Sequence, residues 1–228
     1  MLEHLKIAVY KANMALKEAG LVILTWGNAS GFDHVSGLVV IKPSGVSYSE
    51  LSPDNMVVVN LDGEVVEGSY KPSSDTKTHI ELYKAFPELG GIVHTHSRMA
   101  TSFSQAGMSI TPMGTTHADY FYGEIPCSKP LEKHQIDGDY EKETGITIVN
   151  MLKDKNPLDV PAVLVNEHGP FTWGLSVEEA VYHSIVLEEV SIMAFNTLLL
   201  NKSAHIQNAL LDKHYYRKHG SNSYYGQK

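Results

Sequence analysis

The chain has 228 residues, 43% of them hydrophobic and 19% charged, a composition that excludes global disorder and suits one substantial layered domain. Eighteen Lys and Arg against 26 Asp and Glu give a net charge of −8, which excludes neutralisation of long phosphate backbones, so nucleic acid is not an expected partner. The one cysteine, Cys127, cannot close an intrachain disulfide and fits a reducing, cytoplasmic compartment.

Leu2, Leu5, Val9, Ala12 and Leu16 recur at helical spacing with Glu3, Lys6, Lys11, Lys17 and Glu18 between them. They predict an amphipathic helix ending at Gly20 and not a leader peptide. Apolar stretches then alternate with turn residues at Leu21 to Leu24, Leu38 to Ile41 and Met56 to Val59, so the first third reads as strand-rich. Asp62-Gly63 between two valine runs signals a hairpin. Helices are predicted over Thr76 to Phe86, Ala100 to Gln105 and Tyr140 to Lys153, with short strands at Gly91-Ile92-Val93 and Ala162 to Val165. Ser176-Val177-Glu178-Glu179 matches a capping box opening a long helix, and a last helix runs from about Ser203 to Lys218 with a basic end. No uninterrupted apolar run approaches the roughly 18 residues of a membrane span. The pattern predicts a single α/β layered domain with a central mixed, largely antiparallel sheet flanked by helices, spanning 1–228.

His94-Thr95-His96 follows the strand Ile92-Val93, so both imidazoles would project from one face. Twelve histidines produce roughly 0.6 such pairs by chance, so this spacing alone is weak evidence. His168, where another apolar strand ends before Gly169, could add a third nitrogen, and three histidines with an open position describe a catalytic zinc site. Asp75 is a carboxylate neighbour or simply a first-turn helix acid. Gly27-Asn28-Ala29-Ser30, Lys42-Pro43-Ser44-Gly45 and Ser73-Ser74 carry the amides, hydroxyls and lysine of a phosphate cradle, although each alone reads as a turn or cap. Cys127, Trp26 and Trp173 read as packing residues. Two tyrosines close to the chain end, Tyr224 and Tyr225, ask for a partner surface.

Taken in order, Thr25-Trp26-Gly27-Asn28, Ile41 to Val46, Lys71 to Thr76, Gly91 to Ser97, Gly114 to Gly123, His168-Gly169-Pro170-Phe171 and Tyr224-Tyr225-Gly226-Gln227 resemble the class II sugar-phosphate aldolase and epimerase family. The likeness runs almost end to end and is strongest to members that epimerise C4 of L-ribulose 5-phosphate. It implies zinc, or another divalent ion in its place, held by His94, His96 and His168 with Asp75 near or on the metal. Substrate phosphate would be held by Gly27, Asn28, Ser44, Gly45, Ser73 and Ser74, with Lys42 nearby. Asp119 and Tyr225 would be the acid–base pair, delivered from a neighbouring subunit of a C4-symmetric homotetramer, and His214 and Arg217 would lie beside the substrate. The tail, about 212–228, would thus contribute to the active site.

The chemistry agrees with such a site. C4 of a 2-ketopentose phosphate is not adjacent to the carbonyl, so its proton cannot be removed productively. Cleaving C3–C4 instead leaves an enediolate that a divalent ion can stabilise, while the phosphate cradle retains glycolaldehyde phosphate for rotation and re-addition. Proton transfer at both faces requires two groups, and Asp119 and Tyr225 would both have to shift toward neutrality. An aldolase that releases its fragments is the nearest rival; those relatives carry a glutamate where this chain has Asp75. A purely structural metal site fits poorly with one cysteine, and a zinc hydrolase leaves the cradle unexplained.

Overall fold

The computed structural model describes residues 2–219 and 223–225. Helix α1 (Glu3–Glu18) leads into strands β1 (Asn28–Asp33), β2 (Leu38–Ile41), β3 (Val57–Asn60) and β4 (Val65–Glu67), then helix α2 (Thr76–Ala85) and strand β5 (Gly91–His94). Helices α3 (Arg98–Gln105), α4 (Thr115–Ala118), α5 (Lys133–Asp137) and α6 (Tyr140–Met151) precede strands β6 (Ala162–Val165) and β7 (Gly169–Gly174), and helices α7 (Val177–Leu200) and α8 (Asn208–Lys218) follow.

The strands form one seven-stranded sheet in the order β4-β3-β2-β1-β5-β7-β6. Every neighbouring pair is antiparallel, so the expected mixed character is confined to an isolated parallel bridge between Cys127 and Leu164. There residues 126–128 run beside β6: Ser128 N donates to Leu164 O and Leu164 N to Pro126 O, both at 2.8 Å.

Helices cover both faces of the sheet. Val40, Val58 and Val93 meet α1 and α7, whereas Val39, Ile41, Val57, Val59 and Ile92 meet α2 and α6. This two-sided burial explains why β2 and β3 read as continuous apolar runs instead of alternating ones, each buried Val or Ile contributing about 1.5–3 kcal/mol. Helix α7 is long and apolar enough, by length and composition alone, to cross a membrane, with 39% of that window buried. In the fold, its Val177, Ala180, Leu187, Val190 and Ala194 pack inward. Ser176 Oγ accepts from Glu179 N at 3.2 Å, as the capping signal predicts.

Two expectations fail, and two strands go unpredicted, for identifiable reasons. Leu21 to Leu24 is a loop, not a strand: Leu21 and Val22 are buried in the α1-side core, and Leu24 turns the chain at φ 55°. Helix α8 begins at Asn208, not Ser203, because Ile206 N is committed to Pro112 O at 3.1 Å. The unpredicted strands are β1, Asn-Ala-Ser-Gly-Phe-Asp, which has little strand propensity, and β7, Gly-Pro-Phe-Thr-Trp-Gly, where the strand formers Phe171, Thr172 and Trp173 make too short a run between Gly-Pro and Gly. Small residues are required in β1, where a Cβ on Gly31 would come within 2.6 Å of both Leu5 and Val177. Tertiary crowding there overrides β-propensity.

Candidate active site

Strands β1, β5 and β7 lie side by side, with Asn28 opposite His94 and His94 opposite Phe171. Phe171 stacks on the His94 ring at 4.3 Å between centroids. The β6–β7 hairpin presents His168 at its tip, just after Glu167 turns the chain at φ 59°. His96 leaves the end of β5, and the donor atoms of His94, His96 and His168 all fall within 4.8 Å of one another. The Nε2 atoms of His94 and His96 are 3.0 Å apart.

Burial holds all three imidazoles below their ordinary pKa, His94 down to about 3, so the trio is neutral at physiological pH. Converging neutral imidazoles, each able to offer a ring-nitrogen lone pair, are a donor set suited to a divalent ion such as zinc. Asp75 occupies the N-cap position of α2 but makes no side-chain cap. It turns instead to Asn28, whose Nδ2 donates to Asp75 Oδ2 at 2.7 Å and to Ser73 Oγ at 3.1 Å. Burial alone would raise the Asp75 carboxyl. His94, His79, His168 and the Asn28 amide outweigh it and hold the group below the usual range.

The expected phosphate residues line the same cleft of about 530 Å3, together with Asp75 and the three histidines. Ser44 N donates to Lys71 O at 2.9 Å and Ser73 N to Lys42 O at 3.0 Å, which ties the two serine-bearing loops together. Gly27 stands where β1 meets the cleft at φ 73°, and a Cβ there would approach His94 O to 2.9 Å and Val22 to 2.7 Å. Lys42 is buried; its Nζ donates to the carbonyls of Thr25 and Pro43, at 3.2 and 3.4 Å, and lies 5.1 Å over the Tyr48 ring. With no carboxylate beside it among the described residues, burial lowers its pKa to about 8. An arriving anion would stabilise this ammonium. Trp26 departs from the packing role expected of it: it is 48% exposed, lines the cleft and lies 6.2 Å from the His96 ring. Trp173 is a fully buried core residue as expected, and Cys127 is half-buried.

Residues 7–195 match the class II aldolase and adducin N-terminal domain. The chain belongs to that family. Three solved structures with the same fold are L-fuculose 1-phosphate aldolases. One superposes with a TM-score of 0.78 at 20% identity, over 94% of this chain and 95% of the other. The enzyme from Glaciozyma antarctica PI12 gives 0.78 at 17%, over 97% and 84%. That from Thermus thermophilus gives 0.69 at 25%, over 89% and 98%. Class II aldolase-family members are typically metal-dependent enzymes acting on sugar phosphates, and the histidine trio and cleft of this chain have the matching chemistry.

The remaining expected site residues of this class II aldolase-family protein gather elsewhere. Asp119 ends α4 and faces α8, where His214 Nδ1 donates to its carboxylate at 2.9 Å, Arg217 Nε and Nη2 at 3.1 and 2.8 Å, and Lys218 lies at 3.4 Å. The guanidinium of Arg217 also sits 4.7 Å over the Tyr225 ring, and Tyr225 N donates to Arg217 O at 3.0 Å. Asp119, His214, Arg217 and Tyr225 therefore form one cluster, and none of them lines the cleft. Burial would raise the Asp119 carboxyl, but Arg217, His214 and Lys218 prevail and lower it, opposite to the expected shift toward neutrality. Gly226 and Gln227 of the closing motif lie outside the described residues. Residue-level reasoning missed Tyr140, whose hydroxyl is 3.3 Å from His168 Nδ1, because an aromatic first residue of a helix carries no recognisable signal. It also missed Glu188 of α7, which accepts Met99 N and Ala100 N at 2.8 and 3.0 Å where α3 follows the histidine segment.

Proposed function

We propose that this protein is a cytoplasmic, divalent-metal-dependent 4-epimerase that interconverts L-ribulose 5-phosphate and D-xylulose 5-phosphate. The reaction would proceed by cleavage of C3–C4, rotation of glycolaldehyde phosphate and aldol re-addition. The observation that carries this reading is the sharing of one cleft by three convergent neutral histidines and a lysine-bearing anion cradle.

His94, His96 and His168 would hold the ion, preferentially zinc, with Asp75 beside it. Once bound, that ion supplies a Lewis acid for the electron pair released by C3–C4 cleavage. Lys42, Gly27, Asn28 and the paired Ser44-Gly45 and Ser73-Ser74 loops bind and orient the phosphate, so the cleaved aldehyde turns without escaping. Asn28 couples the two halves of the cleft through its contacts with Ser73 and Asp75.

Asp119 and Tyr225 move the C4 hydroxyl proton at opposite faces of the sugar, reaching the cleft from a neighbouring copy in a C4-symmetric homotetramer. Their absence from the lining of their own chain's cleft and their joint attachment to Arg217 support delivery as a unit. His214 and Arg217 accompany them beside the substrate. The solved relatives named aldolases keep a second reading in view: the same site could release its fragments. Asp75, shorter than the glutamate of such aldolases, favours epimerisation.

A coupled assay on metal-quantified protein tests the choice. Incubation with L-ribulose 5-phosphate should yield D-xylulose 5-phosphate. Accumulation of free dihydroxyacetone would transfer the assignment to the aldolase.

A further inference from the structure

Two of the three cleft histidines have a rear nitrogen engaged. His94 Nδ1 lies 3.0 Å from Pro170 O, a partner fixed within the sheet. His168 Nδ1 lies 3.3 Å from the hydroxyl of Tyr140, a side chain from a different layer of the fold. His168 has the weaker backbone framing of the two, since it projects from a hairpin tip and not from a central strand.

The position of Tyr140 is strongly determined. It opens α6, and the start of that helix is pinned to the start of α2, which follows directly on Asp75. Lys77 Nζ donates to both oxygens of Asp139 at 2.9 and 2.8 Å, and Thr78 Oγ1 donates to Glu141 O at 2.6 Å. Within α6, Thr144 Oγ1 donates to Tyr140 O at 2.9 Å. These ties on either side of Tyr140 aim its phenol at the back of His168.

An imidazole that offers Nε2 to a cation must carry its proton on Nδ1, and an acceptor at Nδ1 fixes both tautomer and ring direction. The phenol oxygen is positioned to be that acceptor. We infer that Tyr140 is a positioning residue: it accepts the His168 Nδ1 proton, selects the tautomer whose Nε2 faces His94 and His96, and so sets the trio's affinity for a divalent cation. This rests on the metal site proposed above.

The test is a zinc dissociation constant, measured on the full chain by competition with a chromophoric chelator, for the wild type and for Tyr140→Phe. The melting curve of each metal-free protein is recorded in parallel. Loss of the phenol should weaken zinc binding by about 10- to 100-fold while leaving the metal-free melting midpoint essentially in place. A packing role would do the reverse, and zinc affinity within twofold of wild type would overturn the inference. Long-range 1H–15N NMR of the zinc-loaded wild type needs no variant: a His168 proton on Nδ1 supports the assignment, and one on Nε2 sinks it. Wild-type protein that binds no zinc, or a His96→Asn variant that binds it equally tightly, would overturn the metal site itself. Wild-type binding unaffected by Tyr140→Phe would remove only Tyr140's role.

Discussion

The cleft and the α4–α8 corner both concentrate titratable side chains but hold them by opposite electrostatics. In the cleft, His94 stands on a central strand, bonded on both sides to neighbouring strands, and desolvation strips its charge. At the corner, Asp119 is surrounded by His214, Arg217 and Lys218, and ion pairing preserves its charge. The first arrangement prepares neutral donors for a cation and depends little on salt. The second fixes a carboxylate through pairs that ionic strength and a competing partner can loosen. Precise coordination is thus assigned to the sheet, and the residues proposed to arrive from a neighbouring copy are assigned to a helix and tail.

The largest expected effect separates the two regions directly. His96→Asn should reduce bound zinc well below one per chain and abolish most turnover, read by metal quantification beside the coupled assay. Asp119→Asn and Tyr225→Phe should leave zinc content intact yet lower turnover by about 10²-fold or more; unchanged rates would refute the division of labour.

Acidification probes the desolvated histidines outside the trio. Burial lowers His79 and His117 from 6.5 to about 4 each. Between those values the unfolded chain binds protons that the folded chain refuses, so the contribution of these two groups to stability should fall as pH drops from about 6.5 to about 4. It should change no further below that, where His94 and the paired carboxylates Asp75 and Asp119 continue the decline. Each group contributes up to roughly 3 kcal/mol by linkage. Denaturant midpoints measured across that range would expose a flat profile, which contradicts the buried neutral assignment.

The smallest effect concerns the support behind His96. Glu188→Ala removes the side-chain acceptor of two backbone amides at the start of α3 and should destabilise the fold by about 2 kcal/mol, with Glu188→Gln losing less. Equal melting temperatures for all three proteins would show that the cap is dispensable.

Hydrophobic runs and capping residues located β2, β3, β6, α2, α6 and the start of α7 closely, because local pattern and burial agree there. They failed at β1, made largely of small and polar residues, and at β7, where Phe171-Thr172-Trp173 is a short run framed by Gly-Pro and Gly, so packing neighbours decide the conformation. The same asymmetry governs the site. His94, His96 and His168 were legible as strand-end imidazoles, and the structure brings them together. Ser44, Gly45, Ser73 and Ser74 were legible as a candidate anion cradle but only weakly, since each loop alone resembles an ordinary turn, and the family likeness tied them together. Trp26, Tyr140 and Glu188 act across elements distant in sequence, so no local signal could have revealed them.

The short run 126–128 alongside β6 has a consequence for fidelity. It occupies backbone groups at the outer margin of the sheet, and Asn166 N, just past the strand, is held by Ser128 Oγ at 2.9 Å. That margin is guarded against recruiting a stray strand from another molecule. It is also latched against sliding, because a one-residue slip would reverse which way every side chain points and swing His168 out of reach of its companions. A modest peptide clasp at the periphery thereby protects the alignment on which the central chemistry relies.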